Sequence, residues 1–278
     1  MTEPGSPTAG VARLFDALAD VYDGVGVDFF QPIAAQLLSA MAPRPGERWL
    51  DVGCGRGAVL LQAAQAVGPT STATGVDISE AMVVSCRDSA RRLGLDNVVV
   101  EVADAQGLSL DGETFDALTS CLVLFFLPDP SQAVRGWLPL LAPGGRIGIT
   151  TFGGLDQRWK DVDEVFEPYL PPALRDARTS GASGPFASDA GMEDLVRDAG
   201  FSDVRTVLGS IPVRFADDDQ WHAFSWSTGQ RAMWLAVPED ERPAVRAEAK
   251  RRLARHAGPD GVIEFEQPLR HTLARRPA

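Results

Sequence analysis

The run Trp49-Leu50-Asp51-Val52-Gly53-Cys54-Gly55-Arg56-Gly57-Ala58 constrains this chain more than any other, because an apolar strand there breaks into a glycine-rich loop that opens a helix. Such a turn is a nucleotide-binding turn. Glycines at 53, 55 and 57 remove the Cβ atoms that would hold a ligand off the backbone, and they permit φ values other residues avoid. Gly53-x-Gly55-x-x-Ala58 also satisfies the dinucleotide fingerprint, whose last position is Gly or Ala. The neighbouring residues must discriminate. Asp51 stands two residues before the first glycine, where a dinucleotide loop carries an apolar residue or glycine. A carboxylate there repels a pyrophosphate and suits an ammonium, reached directly or through water.

The strands that follow end in further acids. Thr72-Ala73-Thr74-Gly75-Val76-Asp77 places a carboxylate 20 residues beyond Gly57, the spacing at which an acid meets ribose hydroxyls. Val98-Val99-Val100-Glu101-Val102 precedes Ala103-Asp104-Ala105, and Phe115 to Cys121 runs into Leu122-Val123-Leu124-Phe125-Phe126-Leu127-Pro128-Asp129-Pro130. Leu141-Ala142-Pro143-Gly144-Gly145 then turns into another apolar strand.

These motifs, in this order, resemble those of the class I S-adenosyl-L-methionine (SAM) dependent methyltransferases of the UbiE-like, type 11 kind, which act on small molecules. The likeness is strong over residues 10 to 155 and loose beyond. It implies SAM as cofactor and S-adenosylhomocysteine (SAH) as product. It further implies that Asp51 faces the ammonium, Asp77 the ribose and Asp104 the adenine amino group. Gly53, Cys54, Gly55, Gly57, Ile78, Met82, Ala105 and Cys121 complete the implied cofactor site. Tyr22-Asp23, before a glycine-rich turn, resembles the family segment whose tyrosine reaches the cofactor carboxylate.

Strands alternating with helical stretches from Trp49 to Ile149 predict an α/β fold with helices on both faces of a parallel sheet. The resemblance makes this a doubly wound, seven-stranded Rossmann-like methyltransferase sheet with N-terminal helices and a helical lid insertion. Residues 1–10, rich in Pro, Gly, Ser and Thr, are expected to be a disordered tail. Helices fill 11–45, the SAM-binding core spans 46–152, and 153–278 supplies the lid, the last strands and the substrate-pocket helices. Within that half, Asp218 to Ala236 and Pro238 to Ala257 read as helices, Asp203 to Arg214 as strand six and Leu269 to Ala274 as strand seven.

A net charge of −12 and a pI near 4.7 disfavour a nucleic-acid partner, because binding a phosphate backbone relies on clustered Lys and Arg. The basic run Lys250-Arg251-Arg252 reads as the solvated face of a helix. No apolar run approaches the ~18 residues of a membrane span, and the opening residues lack the pattern of a signal peptide. A cytoplasmic protein is expected, with a small-molecule acceptor as partner and room for a homo-oligomer. The three cysteines, Cys54, Cys86 and Cys121, lack disulfide or zinc spacing and are expected to stay thiols.

Methyl transfer from a sulfonium is an in-line displacement with a neutral leaving group, so an enzyme mainly aligns and desolvates the reactants. A base matters for a hydroxyl or carbon acid and little for a carboxylate or free amine. His222, within the aromatic run Trp221 to Trp234, and Tyr22 are the catalytic candidates. His256, near a helix end, and His271, in the last strand, have structural explanations. Phe29, Phe30, Phe126, Phe152, Trp221 and Trp226 are candidates for the acceptor pocket. The wholly apolar stretch Leu122 to Leu127 offers no hard oxygen ligands, so no metal is expected. The reading is a methyltransferase acting on a small, partly apolar molecule of secondary metabolism. A SAM-binding protein that catalyses a non-methylating cyclisation, and a SAM- or SAH-sensing regulatory module, remain alternatives. A nicotinamide-dependent dehydrogenase finds no catalytic constellation here.

Overall fold

The computed structural model describes residues 7–110, 112–171 and 184–278. Its short central strands are β1 (Trp49–Val52), β2 (Ala73–Asp77), β3 (Val98–Val102) and β4 (Phe115–Cys121). They pair in parallel because helical crossovers return the chain to the same end each time. β5 (Leu141–Phe152) adds to β4, and β7 (Ile263–Arg275) inserts antiparallel between β5 and β6 (Ser202–Phe215). The order is β3-β2-β1-β4-β5-β7-β6, so the chain reverses direction across the sheet between β1 and β4. The crevice at their carboxyl ends is where open sheets of this kind bind ligands.

Helices cover both faces. α2 (Phe30–Met41), α3 (Leu60–Val67) and α4 (Glu80–Arg92) pack on one side through Leu37, Leu60, Val83 and Cys86. α5 (Pro130–Trp137) and α7 (Asp189–Asp198) pack on the other through Val134, Trp137, Met192 and Leu195. A third core joins α6 (Gln157–Asp163), α8 (Asp218–Ser227), α9 (Arg231–Ala236) and α10 (Arg242–His256) to the far ends of β6 and β7. No described helix is long and apolar enough to cross a membrane.

Several elements depart from the sequence reading. α1 (Pro7–Asp16) starts inside the expected tail, since Leu14 and Phe15 at helical spacing pack beside Leu18 and Met82; residues 1–6 lie outside the described part. The single helix expected from Asp218 to Ala236 breaks at Thr228-Gly229-Gln230 into α8 and α9. β7 reaches back to Ile263 because β6 is long enough to pair with it there, Phe215 against Ile263. In the expected lid, Trp159, Val162, Val165 and Phe166 join the third core, and Trp159 stacks on Phe265 at 5.4 Å. The Thr179 to Ser183 part of that insertion lies outside the described residues.

Candidate cofactor and acceptor site

Each glycine of the loop after β1 has its own task. All three have positive φ: Gly53 at 73°, Gly55 at 53° and Gly57 at 92°. A Cβ on Gly53 would stand 2.3 Å from Val123 Cγ2, and one on Gly57 would stand 2.7 Å from Leu61 Cγ and 2.8 Å from Cys86 Sγ. These two let the loop lie against the β4 turn and against α3 and α4. A Cβ on Gly55 would meet nothing within 4 Å, because that position faces an open cleft. Gly57 was expected among the ligand contacts; the structure makes it a packing glycine, since its Cβ direction points at Leu61 and Cys86 and it does not line the cleft or its two lobes.

The cleft holds about 690 Å³ of empty space including its mouth, and is lined by Gly53, Gly55, Asp77, Ile78, Met82, Asp104, Ala105 and Cys121. Asp77 Oδ2 accepts from the Gly55 amide at 2.8 Å and Oδ1 from the Ser79 amide at 2.9 Å. Ser79 in turn caps α4, accepting from Met82 N at 3.1 Å while donating to Asp16 Oδ1 at 2.6 Å, which ties the end of α1 to the end of β2. Asp104 accepts from the Gln106 amide at 2.9 Å and so shapes the turn after β3.

A second lobe runs behind the loop and is lined by Tyr22, Asp23, Asp51, Cys54, Gly55, Arg56 and Cys121, among others. Asp51 is only 2% exposed and accepts from Thr119 Oγ1 at 2.8 Å, while Trp49 Nε1 donates to the same hydroxyl at 3.0 Å. Burial pushes the Asp51 carboxyl up to about 7; the Thr119 hydrogen bond opposes that shift and the nearby Asp77 charge adds to it. Asp77 is also raised, chiefly by burial, with the backbone N–H groups of Ser79, Gly55 and Ile78 opposing.

A third lobe is aromatic. Phe29, Phe30, Phe126 and Phe152 line it together with Phe15, Phe125, Phe224 and Met233, and Thr228, Gly229 and Gln230 close one side. Phe15, Tyr22, Leu122 and Phe126 belong to both this lobe and the first cleft. Leu122 holds φ at 58°, a conformation disfavoured for a branched side chain, at the point where β4 gives way to this shared wall. Tyr22 touches all three lobes and stacks on Phe30 at 4.5 Å. Burial first, and then the Asp77, Asp23 and Cys121 charges, hold its phenol well above the usual range. It is therefore a hydrogen-bond donor at neutral pH and a poor base.

Three expected site residues lie elsewhere. Trp221 is 1% exposed inside the third core, near Trp234. His222 and Trp226 share the opposite face of α8 and line an outer groove with Asp218, Arg242 and Arg246. His222 Nε2 accepts from Trp226 Nε1 at 2.9 Å, so the lone pair a base would use is engaged. Its proton affinity is also lowered, mainly by burial and by Arg246, with Asp219 and Asp218 opposing. The helical period explains the correction: with Trp221 and Phe224 turned inward, residues 222 and 226 must point away. Phe224 and the Thr228–Gln230 break are what face the aromatic lobe, and Gly229 inside an aromatic helical pattern was the signal for that break.

A crevice at the sheet's switch point, a loop of three glycines, and acids at the ends of β1, β2 and β3 define a SAM-dependent methyltransferase of class I, and the chain belongs to that family. Residues 43–184 match the family described as methyltransferase domain. The chain is 37% identical to nocamycin O-methyltransferase of Saccharothrix syringae over 95% of its own length and 98% of that protein. It is 35% identical to aklanonic acid methyltransferase DauC of a Streptomyces strain, over 59% of this chain and 74% of that one. The structure of Haemonchus contortus phosphoethanolamine N-methyltransferase 2 with SAM shares the fold, with a TM-score of 0.60 at 17% identity over 98% of this chain and 60% of that one. The residues present fit SAM on one structural observation: the backbone at Gly55 faces open space in the cleft, where any Cβ would stand between it and a ligand.

Proposed function

We propose that this enzyme methylates an oxygen of a small, largely apolar molecule of secondary metabolism. The observation that carries this reading is the aromatic lobe, which shares Phe15, Tyr22, Leu122 and Phe126 with the cleft beside Gly55. The 37% identity to nocamycin O-methyltransferase along nearly the whole chain supports oxygen as the target. When bound, SAM supplies an electrophilic methyl group on a sulfonium. In this reading Asp77 accepts from the ribose hydroxyls, Asp104 from the adenine amino group, and Asp51 faces the ammonium. Tyr22 donates a hydrogen bond at the meeting of the lobes. The phenylalanine side chains exclude water from the acceptor, so an acceptor that enters as its carboxylate or phenolate, its proton already lost to solvent, presents a desolvated oxyanion that is more nucleophilic than in bulk. The experiment is incubation with SAM and a panel of apolar hydroxy and carboxy compounds. SAH release with a product gaining one CH₂ is the expected result; a product of unchanged mass would overturn it in favour of cyclisation.

Asp77→Ala removes charge-assisted hydrogen bonds to ribose and should weaken SAH binding by roughly 1.5 to 3 kcal/mol, or about ten- to a hundred-and-fifty-fold. Calorimetry reads this directly, and an unchanged dissociation constant would refute the ribose assignment.

Asp51 makes cofactor binding depend on pH. With its carboxyl near 7, the free protein at pH 6 holds it mostly protonated, and pairing with an ammonium requires the proton to leave. Affinity for SAH should therefore rise with pH through about 7 and level off, by roughly tenfold between pH 6 and 8. The stability of the free protein has the opposite sign. A folded value above the unfolded 3.8 contributes stability that is complete below that value and is lost as pH rises through about 7. Titration calorimetry in buffers of different ionisation enthalpy should find about one proton released per SAH at pH 6 from Asp51, with up to about half a proton more from Asp23 in the same lobe, and little at pH 8. Asp51→Asn should remove the part of this profile centred near 7 and leave the smaller part that Asp23 contributes near 6.

A further inference from the structure

Arg56 occupies the position between Gly55 and Gly57, and its half-buried side chain folds back over the loop. Nε donates to Ser85 Oγ of α4 at 3.0 Å, and Nη1 donates to the Tyr22 carbonyl. Two anchors of this kind fix the plane of a guanidinium, whose five N–H donors form a rigid fork matched to carboxylate geometry. Among the described residues lining the lobe behind the loop, Arg56 is the single Lys or Arg, and it stands with the carboxyls of Asp23 and Asp51.

That set of charges is complementary to an α-amino acid. An ammonium suits the two carboxylates, but the carboxylate that accompanies it would be repelled by them unless a cation receives it. We propose that Arg56 receives the carboxylate of the cofactor's amino-acid end, with Tyr22 O and Ser85 Oγ holding its guanidinium in place. This rests on the placement of that end in the lobe beside Asp51. The electrostatics agree. Asp23, held at φ 57° beside the lobe, is raised to about 6 by burial, with Arg56 drawing it back down and Asp28 pushing it up. Arg56 thus already acts as the countercharge of this lobe, and a guanidinium–carboxylate contact is among the stronger charge-assisted hydrogen bonds.

The test compares SAH with its decarboxylated analogue, S-adenosyl-3-thiopropylamine, by calorimetry on the wild type and on Arg56→Gln. In the wild type, loss of the ligand carboxylate should weaken binding roughly tenfold or more; in the variant the same loss should change binding less than about twofold. 5′-Deoxy-5′-methylthioadenosine, which lacks the amino-acid end, should bind both proteins alike, showing that the loop is intact. Arg56→Met serves the same comparison should the glutamine variant fail to bind the methylthio ligand. An equal penalty in wild type and variant, or no penalty in the wild type, overturns the inference. A wild type that binds neither SAH nor the methylthio ligand overturns the placement of the cofactor in the cleft, and this inference with it.

Discussion

Gly55→Val should raise the SAH dissociation constant by roughly a hundredfold, or ~2.7 kcal/mol, and lower the stability of the free fold by only ~1–2 kcal/mol. The strain falls on the fold and the new side chain on the binding. The backbone there sits at φ 53°, where a β-branched residue is strained by ~1–2 kcal/mol, and the new side chain would project into the cleft rather than into protein. Gly53→Ala is the informative contrast. Its Cβ would collide with Val123 at 2.3 Å and its backbone sits at φ 73°, so overpacking and the same left-handed strain should together lower stability by roughly 2 to 5 kcal/mol and disturb binding only as the loop shifts. Calorimetry with SAH and thermal unfolding on the two variants separate the roles. A Gly55→Val protein that binds SAH like the wild type would show that the cleft is not the cofactor site.

The first half of this molecule is legible in its sequence for a specific physical reason. Parallel central strands are buried on both faces and read as apolar runs, and each ends at the same edge, where an acid or glycine after the run is a ligand-side position. Asp77, Asp104 and Gly55 meet at one cleft, and Asp51 at the lobe behind it that shares Gly55, because of that arrangement. What stayed hidden depends on contacts distant in the chain. Gly57 could not be told from Gly55 without knowing that Cys86, 29 residues on, packs against it. Arg56 is an arbitrary loop residue until the Tyr22 carbonyl, 34 residues earlier, is brought to its guanidinium.

The C-terminal half shows the complementary limit. An aromatic run at helical spacing states that a helix has an apolar face but not which cavity that face serves. Phe29, Phe30, Phe126 and Phe152 reach the aromatic lobe because each leaves an element whose end abuts the cleft. Trp221, Trp226 and His222 sit on a helix whose inward face was not fixed by its own sequence.

Trp221 therefore yields a prediction opposite to that of a pocket residue. Trp221→Ala should lower stability by roughly 3 to 5 kcal/mol, the range for deleting a large buried aromatic side chain, because it opens a void between Trp234 and the rest of the third core. At the usual scaling for a chain of this size that is a fall of about 6 to 20 °C in Tm. SAH affinity below the transition should change less than about threefold, since Trp221 is not among the residues that line the cleft. His222→Gln provides the comparison on the outer face. It disturbs a half-buried hydrogen bond to Trp226 and should cost at most ~1.5 kcal/mol. If His222→Gln instead abolished turnover with Tm unchanged, the outer groove of α8, and not the aromatic lobe, would have to hold the acceptor.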